Sequence, residues 1–116
     1  MATLAEVRDT AAGLLGRRTP GQAINNALVL ELNKSYDRTY ARLKAKRLNT
    51  WAKANGSVIP DEVADQVAAM MAYSATNNYG VSPDRMSRIR EKNSSAIPEI
   101  MDAGRKFDSL DEATDY

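Results

Sequence analysis

One apolar stripe dominates this chain. Ile24, Leu28, Leu32, Tyr36, Tyr40 and Leu43 follow one another at intervals of four, four, four, four and three residues. An α-helix carries all six along one side over about five turns, whereas a strand would turn Leu43 to the opposite face and would have to run far beyond the usual length of about 5–6 residues. The stripe predicts a helix from Pro20 to Leu43, about 36 Å long. The chain has 116 residues, enough for one domain and a modest core. A helix of that length therefore sets the class as all-α and is expected to be its spine.

Gly and Pro divide the remainder into further helices. Gly16 precedes Pro20, Gly56 precedes Pro60 and Gly80 precedes Pro83. Gly suits the left-handed stop of one helix and Pro the first turn of the next. A first helix is expected over Leu4–Leu15, with Thr3 and Glu6 at capping-box spacing. Its apolar face is Leu4, Val7, Ala11, Leu14 and Leu15. A third helix opens at Pro60 and buries Val63, Val67, Met70, Met71 and Ala75. Its many alanines make it slim enough for close neighbours. A fourth starts at Ser82-Pro83-Asp84, a cap followed by Pro. Met86 and Ile89, and more weakly Ala96 and Ile97, mark its inner side. Pro98 either kinks this helix or begins a new turn.

Two segments are less regular. Lys44–Trp51 either extends the long helix, since 43, 47 and 51 share a face, or turns away. Arg47 on the apolar stripe favours the turn. Asn55-Gly56 is a further turn signal, and Ser57-Val58-Ile59 a short extended piece. After Gly104 only Phe107, Leu110 and Tyr116 are large and apolar, while Asp108, Asp111, Glu112 and Asp115 are acidic. The expected organisation is a small antiparallel bundle of about four helices over 1–104. An extended acidic tail follows over 105–116, mobile in the free chain and ordered on assembly.

Charge is divided along the chain. Residues 1–56 carry ten Lys/Arg against four Asp/Glu, a net +6; residues 57–116 carry six against eleven, a net −5. The overall +1 conceals this split. Such a chain is suited to meeting a charged partner or copies of itself.

Composition removes much chemistry. There is no Cys and no His. Thiolate nucleophiles, His-based triads, Cys/His zinc sites, disulfides and histidine pH switches are excluded. The glycines form neither a P-loop nor a dinucleotide fingerprint. Ser82, Ser94 and Ser95 have no histidine partner. Asp61, Glu62 and Asp65 are best read as compensation of a helix N-terminus rather than as metal ligands. The expectation is a protein that is not an enzyme, with no cofactor and no metal. No apolar run reaches the length of a membrane span, and the N-terminus lacks the layout of a signal peptide. Synthesis and use in a cytoplasm, away from membranes, is the matching expectation.

Three groups of side chains remain as candidate contacts. Arg38, Arg42, Lys44, Lys46, Arg47 and Lys53 form a basic run containing Tyr40 and Trp51. Phosphate contact with aromatic stacking is one reading of it. The favoured reading is a solvated helix face with Trp51 in the core, since no helix-turn-helix signature accompanies the run. Arg85, Arg88, Arg90 and Lys92 form a second basic patch. Its natural opposite is the tail, with Arg105, Lys106, Phe107, Asp108, Leu110, Asp111, Glu112 and Tyr116. Between copies, such pairing gives a heterologous interface that closes into a ring when the rotation permits.

The order of these features resembles a known family. A short helix ends in Leu14-Leu15-Gly16. A long helix carries Leu32, Tyr36, Tyr40 and Leu43, and Leu48-Asn49-Thr50-Trp51 follows. Then come Ile59-Pro60-Asp61-Glu62 and a helix from Val63 to Ala72, closing at Asn78-Tyr79-Gly80. Over roughly residues 3–97 this resembles the head-to-tail adaptor, or head completion, proteins of tailed bacteriophages, in particular the short-tailed-phage type.

The resemblance implies a small helical virion protein at the head–tail junction, made in the host cytoplasm. About twelve copies would form a ring beneath the portal protein. The ring would extend the DNA channel, help retain the genome and dock tail or nozzle proteins, with non-specific DNA contact. C-terminal segments in that family reach toward the portal or a neighbouring copy, and 105–116 occupies that place. The family's turn after the long helix usually carries a glycine, where this chain has Arg47. The alternative reading from the residues is a small helical nucleic-acid-binding protein acting through Arg38–Lys53.

Overall fold

Residues whose periodicity predicts helix do form helices in the computed structural model. It describes residues 2–17, 24–49, 51 and 59–114, with side chains through residue 103. The elements are α1 (Leu4–Leu14), α2 (Asn26–Ala45), α3 (Asp61–Ala75) and α4 (Pro83–Thr114). They make a small all-α bundle. The one β contact among the described residues is an isolated antiparallel bridge between Ala2 and Ile59. The Ala2 N–H donates to the Ile59 carbonyl at 2.8 Å and the Ile59 N–H to the Ala2 carbonyl at 3.0 Å. This bridge ties the chain's start to the segment entering α3. Ile59 lies in the expected extended piece; Ser57 and Val58 lie outside the described residues.

The helix starts follow local hydrogen-bonding chemistry. The Glu6 N–H donates to Thr3 Oγ1 at 3.1 Å, closing the N-terminus of α1. The Thr3 hydroxyl lies 3.3 Å from Glu6 Oε1 and donates to it. The α2 start differs from expectation. Ile24 and Asn25 are not helical, and the helix begins at Asn26 rather than at Pro20. The reason is Asn25, whose Oδ1 accepts from the Ala27 N–H at 2.8 Å and caps the helix. Pro20 to Ala23 lie outside the described residues. Ser82 caps α4, with its Oγ accepting from the Arg85 N–H at 3.4 Å.

Two helices end in the same way. Past α1, the Arg17 N–H donates to the Ala12 carbonyl at 2.9 Å and the Gly16 N–H to the Gly13 carbonyl at 3.0 Å. Past α2, the Leu48 N–H donates to the Leu43 carbonyl at 2.9 Å and the Arg47 N–H to the Lys44 carbonyl at 3.0 Å. Both are Schellman motifs, which satisfy the last carbonyls of a helix through one left-handed residue. That residue is Gly16 at φ 72° in the first and Arg47 at φ 58° in the second. The chain therefore leaves the helix after Ala45 instead of extending it, and Arg47 stands where a glycine is the usual occupant.

The spine is α3, not α2. Helix α3 packs against all three other helices, most extensively against α4. Its buried residues are Val63, Val67, Ala68, Ala69, Met70, Met71, Ala72 and Ala75. They encircle most of the helix, and the alanines let neighbouring backbones come close. The long stripe of α2 is buried as expected from Leu28 through Leu43. Its opposing face is too polar for it to be central. Val7, Ala11, Ala12 and Leu15 complete the core from α1, and Ile89, Ala96 and Ile100 from α4.

Helix α4 continues through Pro98 without a break. Proline deletes the bond to the Ser94 carbonyl, but both residues are exposed, so water can satisfy that group. The hydroxyls of Ser94 and Ser95 bond back to the carbonyls of Arg90 (2.9 Å) and Lys92 (3.2 Å). Both serines are thereby accommodated inside the helix. At 32 residues α4 is about 48 Å long, against about 22 Å for the 15-residue α3. Its C-terminal part therefore outruns its main partner.

Candidate functional site

The basic run divides into separate environments. Tyr36, Tyr40 and Trp51 form an aromatic cluster under the end of α2. Trp51 is 6% exposed and Tyr40 7%. Their rings meet edge to face with centroids 5.8 Å apart, and Tyr36 and Tyr40 lie 6.2 Å apart. The Trp51 indole N–H donates to the Tyr36 hydroxyl at 2.8 Å. The Tyr40 hydroxyl donates to the Trp51 carbonyl at 2.8 Å and accepts from Asn49 Nδ2 at 3.1 Å. Every polar edge of Tyr40 and Trp51 that this cluster buries has a partner. These rings hold the turn after α2 against the core, and neither offers a face for base stacking.

Arg38 is a cross-link. Its Nε donates to Ser74 Oγ at 2.8 Å, joining α2 to α3. Its Nη2 donates to Glu31 Oε1 at 3.0 Å and to buried Ser35 Oγ at 3.1 Å. Glu31 Oε1 also accepts from Asn78 Nδ2 at 3.1 Å. Burial alone would raise the Glu31 pKa. The hydrogen bonds from Asn78 and Arg38 and the charges of Arg38 and Lys34 outweigh it, holding the carboxyl below its usual range. The remaining described cations of the run, Arg42, Lys44, Lys46 and Arg47, are exposed at the end of α2. Lys53 lies outside the described residues.

The second basic patch also separates. Arg85 is half-buried and points back at α1. Its Nη1 donates to the carbonyls of Gly13 and Leu14, each at 3.3 Å. A cation at the negative end of a helix is favoured by the helix dipole. Arg17 reaches the other way, donating to the Gly80 carbonyl at 3.0 Å with its guanidinium 5.1 Å from the centroid of Tyr79. These two arginines lock the end of α1 to the α3–α4 connection. Arg85 is thus occupied within the molecule, whereas Arg88, Arg90 and Lys92 are exposed on α4.

Of the tail candidates, Arg105, Lys106, Phe107, Asp108, Leu110, Asp111 and Glu112 belong to the backbone of α4. Their side chains, and Tyr116 altogether, lie outside the described residues.

One cavity gathers polar groups from three helices. It has a volume of about 200 Å³ and lies where α2, α3 and α4 meet. Arg38 and Arg42 of α2, Tyr73 and Ser74 of α3, Asn77 just beyond α3, and Asn93 of α4 line it. Buried Met70 and Thr39 complete the lining. Arg42 is among the sequence candidates; Tyr73, Asn77 and Asn93 are not. The only sequence signal for Tyr73 and Asn77 is their i, i+4 spacing off the buried face of α3. Nothing local marks Asn93. Among the described residues no group of three acidic side chains could hold a metal ion, and no helix is long and apolar enough to cross a membrane.

The chain matches no protein-family model, no curated protein and no solved structure.

Proposed function

We propose that the protein is a structural connector of a tailed bacteriophage, without enzymatic activity. About twelve copies would form a heterologous ring beneath the portal, extend the DNA channel, help retain packaged DNA and dock tail components. The observation that carries this reading is the turn after α2. The family it resembles usually has glycine there, and Arg47 adopts the left-handed backbone conformation that glycine adopts most easily. The apparent sequence departure therefore does not alter the backbone form of the turn. The length of α4 adds support. On this reading the acidic stretch, which outruns its intramolecular partner, would meet a portal or a neighbouring copy, and exposed Arg88, Arg90 and Lys92 would receive it.

Mixing the full chain with the portal protein and imaging the product by electron microscopy tests the proposal. The expected product is a ring at the portal's exit end. Absence of any ring across a range of salt concentrations sinks it. Removal of residues 105–116 is expected to leave the bundle folded by circular dichroism and to weaken assembly. Unchanged assembly would remove the tail's role alone.

A second reading, nucleic-acid binding through Arg38–Lys53, draws on the exposure of Arg42, Lys44, Lys46 and Arg47 at one helix end. The burial of Tyr40 and Trp51 limits it to phosphate contact. Binding to short duplexes should then fall steeply with salt, and charge reversal at Lys44, Lys46 and Arg47 should flatten that dependence. No binding at low salt eliminates this reading.

A further inference from the structure

We propose that the cavity between α2, α3 and α4 is a binding site for one phosphate group, with Arg42 as its charged anchor. The inference goes beyond the connector reading, since a ring could form without it.

The lining is rich in donors and lacks carboxylates. Arg42, Asn77 and Asn93 make no side-chain hydrogen bond with another described residue, yet all three border the same space. Arg42 supplies a guanidinium, and the two amides supply N–H donors from the end of α3 and from α4. Tyr73, also in the lining, carries a further hydroxyl donor. No Asp or Glu lines the cavity, so its charge favours an anion over a cation. Arg38 also borders it, but its charge is matched by Glu31 at 3.0 Å. That pairing, with the bond to Ser74, fixes Arg38 as a rigid wall and leaves Arg42 as the unmatched charge.

Size and direction select the ligand. A volume of about 200 Å³ is smaller than the roughly 300–1,000 Å³ of pockets for drug-sized molecules. It suits one small group rather than a nucleotide. The donor-bearing residues that line it come from α2, α3 and its C-terminal end, and α4, and a spread over three sides is better matched by the three or four oxygens of a tetrahedral phosphate than by the two of a planar carboxylate. Guanidinium–phosphate bonds are charge-assisted and short, and arginine is the usual residue for them. The phosphate could be free or part of a nucleic-acid backbone, since both present the same oxygens.

The test is a titration of the isotopically labelled full chain with inorganic phosphate at constant ionic strength, read by NMR. Saturating shifts are expected at the side-chain amides of Asn77 and Asn93, with none from added chloride. Arg42→Gln should weaken binding by about tenfold or more, while Lys34→Gln, on exposed α2 surface outside the lining, should leave it unchanged. Asn93→Ala provides an independent loss should Arg42→Gln disturb folding. A second arm adds a short single-stranded oligonucleotide. Displacement of phosphate from the same amides assigns the site to a nucleic-acid backbone; phosphate binding without such displacement assigns it to free phosphate. No saturating shift in the unaltered chain overturns the proposal. So does equal binding by the Arg42→Gln and unaltered chains. A response to a peptide of residues 105–116 but none to phosphate also overturns it, in favour of a carboxylate ligand. Ring assembly is not read in this titration, so either proposal can fail alone.

Discussion

The guanidinium of Arg85 fills the space in which residue 16 would carry a side chain: a Cβ on Gly16 would stand 2.7 Å from Arg85 Cζ. Gly16 also has φ 72°, which a side chain resists. Gly16→Ala therefore meets two costs. The left-handed backbone costs roughly 1 kcal/mol. Arg85 must also withdraw from the Gly13 and Leu14 carbonyls. A total loss of about 1–2 kcal/mol is expected in urea denaturation. Gly16→Ala combined with Arg85→Ala should cost less than the sum of the single changes, because the first already displaces the second.

Arg47 poses the opposite case. It holds φ 58° at the left-handed position of the second Schellman motif. Arg47→Gly should relieve the backbone penalty and stabilise the fold by about 0.5–1 kcal/mol, net of the entropy glycine adds to the unfolded chain. The urea midpoint should rise with an unchanged slope. A lower midpoint would show that the exposed arginine side chain contributes more than its backbone strain costs.

The aromatic cluster rests on Tyr40. Tyr40→Phe keeps the ring but removes the donor to the Trp51 carbonyl and the acceptor for Asn49. The expected loss is about 1–3 kcal/mol, since an unsatisfied buried polar group costs more than a hydrogen bond gains. Trp51 fluorescence is the natural probe, because the indole is buried 15 positions from its partner Tyr36.

Glu31 makes part of the stability depend on pH. Its folded-state pKa lies below the ordinary value of 4.5. The unfolded chain therefore takes up the proton first as pH falls. The carboxylate's contribution is fully present above about pH 5 and is lost as pH falls from about 4.5 through the folded value. Glu31→Gln should be less stable than the unaltered chain at neutral pH. The gap should close progressively in acid. A gap that stays constant from pH 7 to pH 3 would show that the carboxylate charge plays no part.

Much of the fold is legible from local rules. The apolar stripe of α2, the capping Thr3, the Ser82-Pro83 start and the buried face Val63, Val67, Met70, Met71 and Ala75 each follow from spacing and short-range hydrogen bonding. Arg47 on the apolar stripe pointed to the turn that is found. The α2 start was less legible: the Gly16–Pro20 punctuation pointed to Pro20, and only the backbone shows that Asn25 caps the helix. The identity of the central helix was hidden for a different reason. Periodicity reports how strongly one face is apolar, whereas a central helix is buried on several faces and shows a weaker contrast.

The candidate sites divide along the same line. Sequence alone determined that this chain is helical, lacks thiol and imidazole chemistry and separates its basic and acidic residues, because those properties belong to residue identity and short spacing. Tertiary structure decided which charges are available. Arg38 and Arg85 look equivalent to Arg42 and Arg88 in the sequence. In the folded molecule, Arg38 is matched by Glu31 and Arg85 is held by the carbonyls of α1. Arg42 instead meets Asn77 and Asn93 across a shared cavity. Those partners lie 35 and 51 positions away, and only the packing of α2, α3 and α4 brings them together.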